Sequence, residues 1–261
     1  MDVYEELLEI IKTESDLEEF LTHENKWEYL YNLSRIRWNV LEWYDFNPKA
    51  RLLEIGAECG ALTGLFCERV KSVVALEEDD RKCSVNETRN KQYENLSVVN
   101  IDAYDATKPF SGEDKRKKYD YVTIIGNFTL EKLTFAKSRL KKDGKLILAI
   151  ENKYGIKYWS GDDRPDTYSR MRLIGLLRYE GYKVSEMYYP VPDYEFPFEI
   201  YSSKNLPSEG SITTVAPSFL KDKVISIDEL KAYDMVISDK KFEEYANSFL
   251  VFAELSDNNQ K

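Results

Sequence analysis

Histidine is nearly absent from this chain: His23 is the only one in 261 residues. Cysteine is scarce as well, and Cys59, Cys67 and Cys83 form an odd set without CxxC spacing. These shortages exclude a disulfide framework and a Cys/His zinc site as organising features, so no metal is expected and a reducing, cytoplasmic setting is. An excess of positive charge is also missing, with 37 Lys and Arg against 47 Asp and Glu and a formal net charge of −10. A protein that grips phosphate backbones needs a concentrated basic face, so nucleic acid is not the expected partner. No apolar run reaches membrane-spanning length and no signal peptide opens the chain, so no membrane insertion is expected. Internal repeats and low-complexity tracts are lacking too.

What is present is a hydrophobic fraction of 43%, enough core for one large α/β domain with additions. Residues 1–47 read as a helical cap. "VYEELLEIIK" is amphipathic, and "KWEYLYNLSRIRWNVLEWY" carries Trp27, Leu30, Leu33, Ile36, Val40 and Trp43 at helical intervals before Pro48 ends the section. Over 48–261, strand-like stretches at 50–56, 72–77, 96–101, 119–126 and 144–151 alternate with helix-length pieces. That alternation predicts a parallel, doubly wound sheet. A helix over about 167–179 follows, then "YKVSEMYYP" and, much later, "NSFLVFAEL". The stretch of about 191–246 between those two strands reads as a proline-punctuated, irregular insertion, the usual place for a lid or a substrate-binding element.

The chemistry concentrates in "ARLLEIGAECGALTGLFCERVKSVVALEEDD", Ala50 to Asp80. It reads as strand, glycine turn, helix and second strand. A turn of this kind is expected to bring backbone N–H groups and a helix N-terminus close to a nucleotide-type ligand. Acids then end successive strands: Glu77 and Glu78 after the second, Asp102 after the third. Those after the second strand are placed for ribose hydroxyls, and all of them line the carboxyl edge of the sheet, where ligands bind. The spacing from Gly56 to Gly60 is GxxxG, not the GxGxxG usual for nicotinamide cofactors, and Glu54 precedes it. An acid there suits a ligand bearing an ammonium and a sulfonium, as S-adenosylmethionine does.

Over nearly its whole length the chain resembles class I S-adenosylmethionine-dependent methyltransferases. Within them it is similar to bacterial methyltransferases found alone or fused to glycosyltransferases in surface-polysaccharide gene clusters. The resemblance is carried by "YLYNLSRIRWNVLEWYDF", "LLEIGAECGALTG", "LILAIENKYGIKYWSG", "YYPVPDYEFPFEIYSS" and "NSFLVFAEL". It implies a Rossmann-like seven-stranded doubly wound sheet of order 3-2-1-4-5-7-6 with the last strand antiparallel, N-terminal helices and an insertion before the last strand. It also implies S-adenosylmethionine as cofactor and S-adenosylhomocysteine as product. Glu54, Gly56, Ala57 and Gly60 would then meet the methionine portion, and Glu77 with Glu78 the ribose. Asp102 and Ala103 would meet the adenine edge, with Gly126 and Asn127 near the transferable methyl. A small-molecule or glycan acceptor is implied, with a glycosyltransferase as a possible partner.

A hydroxyl or carboxyl acceptor benefits from a general base near the methyl. The candidates are Glu151 and Asn152 at the tip of the fifth strand, and His23 between the opening helices. Tyr154, Tyr158 and Trp159 offer an aromatic wall for a sugar face. Asp162 and Asp163 could meet hydroxyls or a cation, or form a solvated acidic turn. The chain departs from the family pattern in three places: Glu58 stands where glycine is usual, "GNFTLEKLTFAKSRLKKDG" is short, and "DDRPDT" lacks a histidine. Two other readings stay open. Motif I and the second strand also resemble ribosomal RNA adenine dimethyltransferases, although "GNFTLE" has the asparagine but not the proline and aromatic of their Asn-Leu-Pro-Tyr tetrapeptide. The trimmed regions also suit a cofactor-binding module that no longer catalyses.

Overall fold

The short apolar runs become strands because residues that are apolar on both faces can be buried only inside a covered parallel sheet. In a computed structural model, describing residues 2–24, 26–108, 110, 117–161, 166–216 and 227–256, the chain forms two compact units, Met1–Leu146 and Ile147–Lys261. Asp162 and Asp163, with part of the expected insertion, lie outside the described residues.

In the first unit β1 (Arg51–Ile55) pairs in parallel with β2 (Ser72–Glu77) and β4 (Tyr119–Ile125), and β2 pairs in parallel with β3 (Leu96–Asn100). Glu54 faces Ala75 on one side and Thr123 on the other, so an acid sits in the central strand one residue before its end. Helices α4 (Thr63–Arg69), α5 (Asp80–Arg89) and α6 (Leu130–Arg139) follow β1, β2 and β4. The amino-terminal segment folds as α1 (Val3–Thr13), α2 (Leu17–His23) and α3 (Trp27–Leu33), then a 3-10 helix over Arg35–Val40. The single long helix expected over 26–44 is therefore broken. Ser34 is extended (ψ 136°), and its hydroxyl accepts from the Ile36 N–H. Serine competes in this way with the helical backbone. α1 packs on α5, and Leu7, Leu21, Leu33, Val85 and Cys59 of the glycine turn share one core cluster.

The second unit contains α7 (Arg170–Tyr179), β6 (Tyr182–Val191) and β7 (Glu199–Ser202), then α8 (Glu229–Ser238), α9 (Phe242–Tyr245) and β8 (Ser248–Leu255). β6 pairs antiparallel with both β8 and β7. With β5 (Leu140–Glu151), the strand order is β3-β2-β1-β4-β5-β8-β6-β7. The α/β, Rossmann-like fold is the expected one, but the sheet has eight strands among the described residues, not seven. The additional strand, β7, is four residues long and lies between Pro197 and Pro207, too short for alternation to mark it. Together with α8 and α9 it gives regular structure to part of the stretch expected to be irregular.

Candidate cofactor site at the glycine turn

Gly56 (φ +71°) and Gly60 (φ +76°) take left-handed backbone conformations that only glycine adopts without strain. Gly60 is required for packing as well, because a Cβ there would stand 2.2 Å from Asn86 Oδ1. The turn does not present its N–H groups as the sequence suggested. Those of Gly56 and Ala57 both donate to the Leu76 carbonyl (2.9 and 3.0 Å), and that of Gly60 donates to the Ala57 carbonyl. α4 starts only at Thr63 and is seven residues long. What the turn offers is a close backbone surface ringed by acids.

Glu54 is 5% exposed and accepts a 2.6 Å hydrogen bond from the Thr63 hydroxyl. Burial pushes its carboxyl up to about 8; the Thr63 bond opposes the rise, and the nearby Glu77 and Glu58 add to it. Glu77, also buried, is held by backbone donors. Its Oε2 accepts from the Glu58 N–H (2.9 Å), and its Oε1 accepts from those of Glu78 (3.0 Å) and Asp79 (3.2 Å). An ionised carboxylate has about four lone-pair sites, so Oε2 keeps capacity for a ligand hydroxyl.

Glu58 takes the left-handed region (φ +48°), which explains physically why glycine is common at such a position. Its side chain runs outward: Oε1 accepts from Asn127 Nδ2 at 2.8 Å and lies 3.6 Å from Lys82 Nζ. Gly126 (φ +75°) and Asn127 (φ +46°) form the tight exit from β4, so glycine turn and β4 exit are clasped together. Lys132, a buried residue the sequence did not single out, strengthens the clasp. Its Nζ donates to the Asn127 carbonyl (3.0 Å) and would stand 3.0 Å from a Cβ at Gly56. Burial lowers its pKa, against the pull of Glu77, Glu78 and Glu58.

The other acids are peripheral. Glu78 is exposed, and Asp79 caps α5 by accepting from the Arg81 N–H. β3 stops at Asn100, so Asp102 and Ala103 lie on an exposed turn and not at the strand tip. His23 is the last residue of α2 and is exposed.

The amino-terminal segment is fastened to the turn, which sequence reading did not anticipate. Trp38 Nε1 donates to the Ala61 carbonyl at 2.8 Å, and Arg89 donates to the carbonyls of Asn32 and Leu33. A pocket there is lined by Asn32, Arg37, Glu54, Gly56, Ala57 and Glu58, among others. Arg37 and Asn32 were visible only as members of "YLYNLSRIRWNVLEWYDF", where the helical spacing of apolar residues drew the attention.

The remaining candidates belong to the second unit. Glu151 accepts from the Tyr194 hydroxyl at 3.0 Å, and its carbonyl accepts from Thr167 Oγ1. Asn152, proposed from sequence as catalytic, is fully buried. Both its amide hydrogens are spent on the carbonyls of Glu244 (2.8 Å) and Ala246 (2.7 Å), and its Oδ1 accepts from the Tyr154 N–H. It is an internal pin, with no donor left for an acceptor molecule. Tyr154 and Trp159 are each 45% exposed, and Trp159 meets Tyr245 edge-on at 5.3 Å. Tyr158 is half-buried, with Lys157 Nζ 5.2 Å from its ring centre.

The chain is similar to one family over part of its length and to three known proteins. A family model for ribosomal RNA adenine dimethylase matches residues 20–136. A ribosomal RNA small subunit methyltransferase A of Syntrophus aciditrophicus (strain SB) is 29% identical over 94 residues. The match covers 36% of this chain and 29% of that protein. An S-adenosylmethionine-dependent methyltransferase of Clostridium acetobutylicum superposes with a TM-score of 0.55 at 11% identity, covering 92% of this chain and 98% of its own. Phosphoethanolamine N-methyltransferase 1 of Haemonchus contortus, solved with phosphoethanolamine and S-adenosylhomocysteine, gives 0.54 at 14% identity, covering 98% of this chain and 50% of its own. Among the described residues no helix is long and apolar enough to cross a membrane. The chain has the α/β, Rossmann-like fold of these S-adenosylmethionine-dependent methyltransferases.

Proposed function

We propose that the protein transfers a methyl group from S-adenosylmethionine to a hydroxyl or carboxyl of a glycan or glycan precursor. The observation that carries the cofactor reading is the gathering of Glu54, Glu58 and Glu77 at one glycine turn. Burial pushes the Glu54 carboxyl up to about 8, and the nearby Glu77 and Glu58 add to the rise. A cationic ligand suits this site. When bound, S-adenosylmethionine supplies an electrophilic methyl on a sulfonium, so the protein's part is to align the acceptor and exclude water. Glu77 would accept a ribose hydroxyl at Oε2, with Glu78, Asp102 and Ala103 toward the adenosine and Gly126 and Asn127 beside the methyl. Glu151 is the carboxylate we assign to the acceptor's proton; exposed Tyr154 and Trp159 would stack on a sugar face. The acidic composition and these two aromatics support the acceptor class.

The test has two stages. Calorimetry with S-adenosylmethionine and S-adenosylhomocysteine should show binding; no heat and no thermal stabilisation with either removes the cofactor reading. Radiolabelled S-adenosylmethionine is then offered with sugar nucleotides and purified surface glycans, or with small-subunit ribosomal RNA. Label in the glycan fraction is expected. The family match over 20–136 favours a second reading, adenine methylation in ribosomal RNA, and label in RNA alone would replace our acceptor with that one.

A further inference from the structure

Arg37 is a charged side chain in the interior, 3% exposed, on the 3-10 helix Arg35–Val40. Its guanidinium carbon lies 4.2 Å from the Tyr31 ring centre, and the residue lines the same pocket as Glu54, Gly56 and Ala57. The backbone that carries it is fixed on both sides. The Arg35 N–H donates to Glu18 at 2.7 Å, and Trp38 donates to the Ala61 carbonyl. Behind it, Arg89 holds the carbonyls of Asn32 and Leu33. A planar guanidinium carried on this fixed backbone and set against the Tyr31 ring can match a carboxylate through two parallel hydrogen bonds. The same pocket is lined by Glu54, whose own surroundings are a threonine hydroxyl and two further carboxylates. A guanidinium and a carboxyl lining one small pocket are complementary to the two ends of an α-amino acid zwitterion, because an approaching ammonium favours the ionised carboxyl.

We infer that Arg37 binds the carboxylate, and Glu54 the ammonium, of the cofactor's α-amino-acid end, an inference that rests on the S-adenosylmethionine reading above. The amino-terminal segment is then part of the cofactor site, not a separate cap.

Calorimetry on the whole protein tests this with ligands that differ only at that end. Arg37→Met should weaken S-adenosylhomocysteine binding on the order of 10- to 100-fold, the range of a lost charge-assisted pair. It should leave 5′-methylthioadenosine, which lacks the amino-acid end, unchanged. Arg37→Lys should recover part of the loss. Equal weakening of both ligands, or of neither, overturns the assignment. Should Arg37→Met fail to fold, the wild-type protein carries the test alone: decarboxylated S-adenosylmethionine must bind more weakly than S-adenosylmethionine by the same order, and equal affinity overturns the inference. A wild-type protein that binds none of these ligands removes the cofactor reading itself. Binding with Arg37 indifferent removes only the inference.

Discussion

Each unit buries a carboxylate, and the two are treated in opposite ways. In the second unit Asp193 is 6% exposed; burial alone would raise its pKa, but Lys157 Nζ at 3.1 Å outweighs that and holds it low. Its Oδ1 also accepts from the Glu195 and Phe196 N–H groups. That charge is balanced within the protein. Glu54 in the first unit has the Thr63 hydroxyl and like-charged neighbours, and its pKa rises to about 8. A buried acid balanced internally is a structural device; one left in a field of other acids is suited to a cation from outside.

The largest effect should come from breaking the balanced pair. Lys157→Met leaves Asp193 buried without its cation and should cost about 3–5 kcal/mol in urea unfolding. Lys157→Met with Asp193→Leu should recover most of it, since an apolar pair of similar volume often substitutes for a buried ion pair. A double variant as unstable as the single one would show that the pair does more than neutralise charge. Glu54 should give the next effect, with the opposite sign. Its folded pKa is raised above the unfolded value of 4.5, so its contribution is fully present below pH 4.5 and is lost as pH rises toward about 8. Across that window wild-type stability should fall by ~1.4 kcal/mol per pH unit relative to Glu54→Gln. Unfolding curves of the two proteins from pH 5 to 8 check this, and parallel curves would contradict it. Saturating S-adenosylhomocysteine should flatten the wild-type dependence, because its ammonium would favour the ionised acid.

How much of this was legible beforehand depends on the range of the interactions. β1, β2 and the glycine turn were readable because burial on both faces and left-handed backbone leave a local signature in "LLEIGAECG" and "SVVALEEDD". The acids at Glu54 and Glu77 followed from their place at strand ends. The direction of the turn's N–H groups did not, since it depends on the Leu76 carbonyl about 20 residues away. Ser34 broke a helix that the apolar spacing predicted, because a hydroxyl competing for the Ile36 N–H leaves no trace in hydrophobic periodicity. Asn152 drew attention by its position at a strand tip, yet its partners, the carbonyls of Glu244 and Ala246, lie more than ninety residues on. Arg37 was hidden for a similar reason. A buried arginine is recognisable only once the pocket it lines has been assembled.

The smallest effect sharpens the comparison most. Glu58 contributes to the raised pKa of Glu54 while occupying a left-handed position that suits glycine. Glu58→Gly relieves that backbone strain but releases the bond to Asn127 and the attraction to Lys82. These terms oppose one another, so stability at pH 5 should change by less than about 1 kcal/mol. The consequence for Glu54 is not cancelled. With one acid fewer nearby, the fall in stability should end at a lower pH than in wild type, while the slope below that end stays the same. An unchanged end point would mean that Glu58 has no part in the Glu54 titration and that the three acids do not act as one field. The contrast with Asp193 would then rest on solvent exclusion and Glu77 rather than on Glu58.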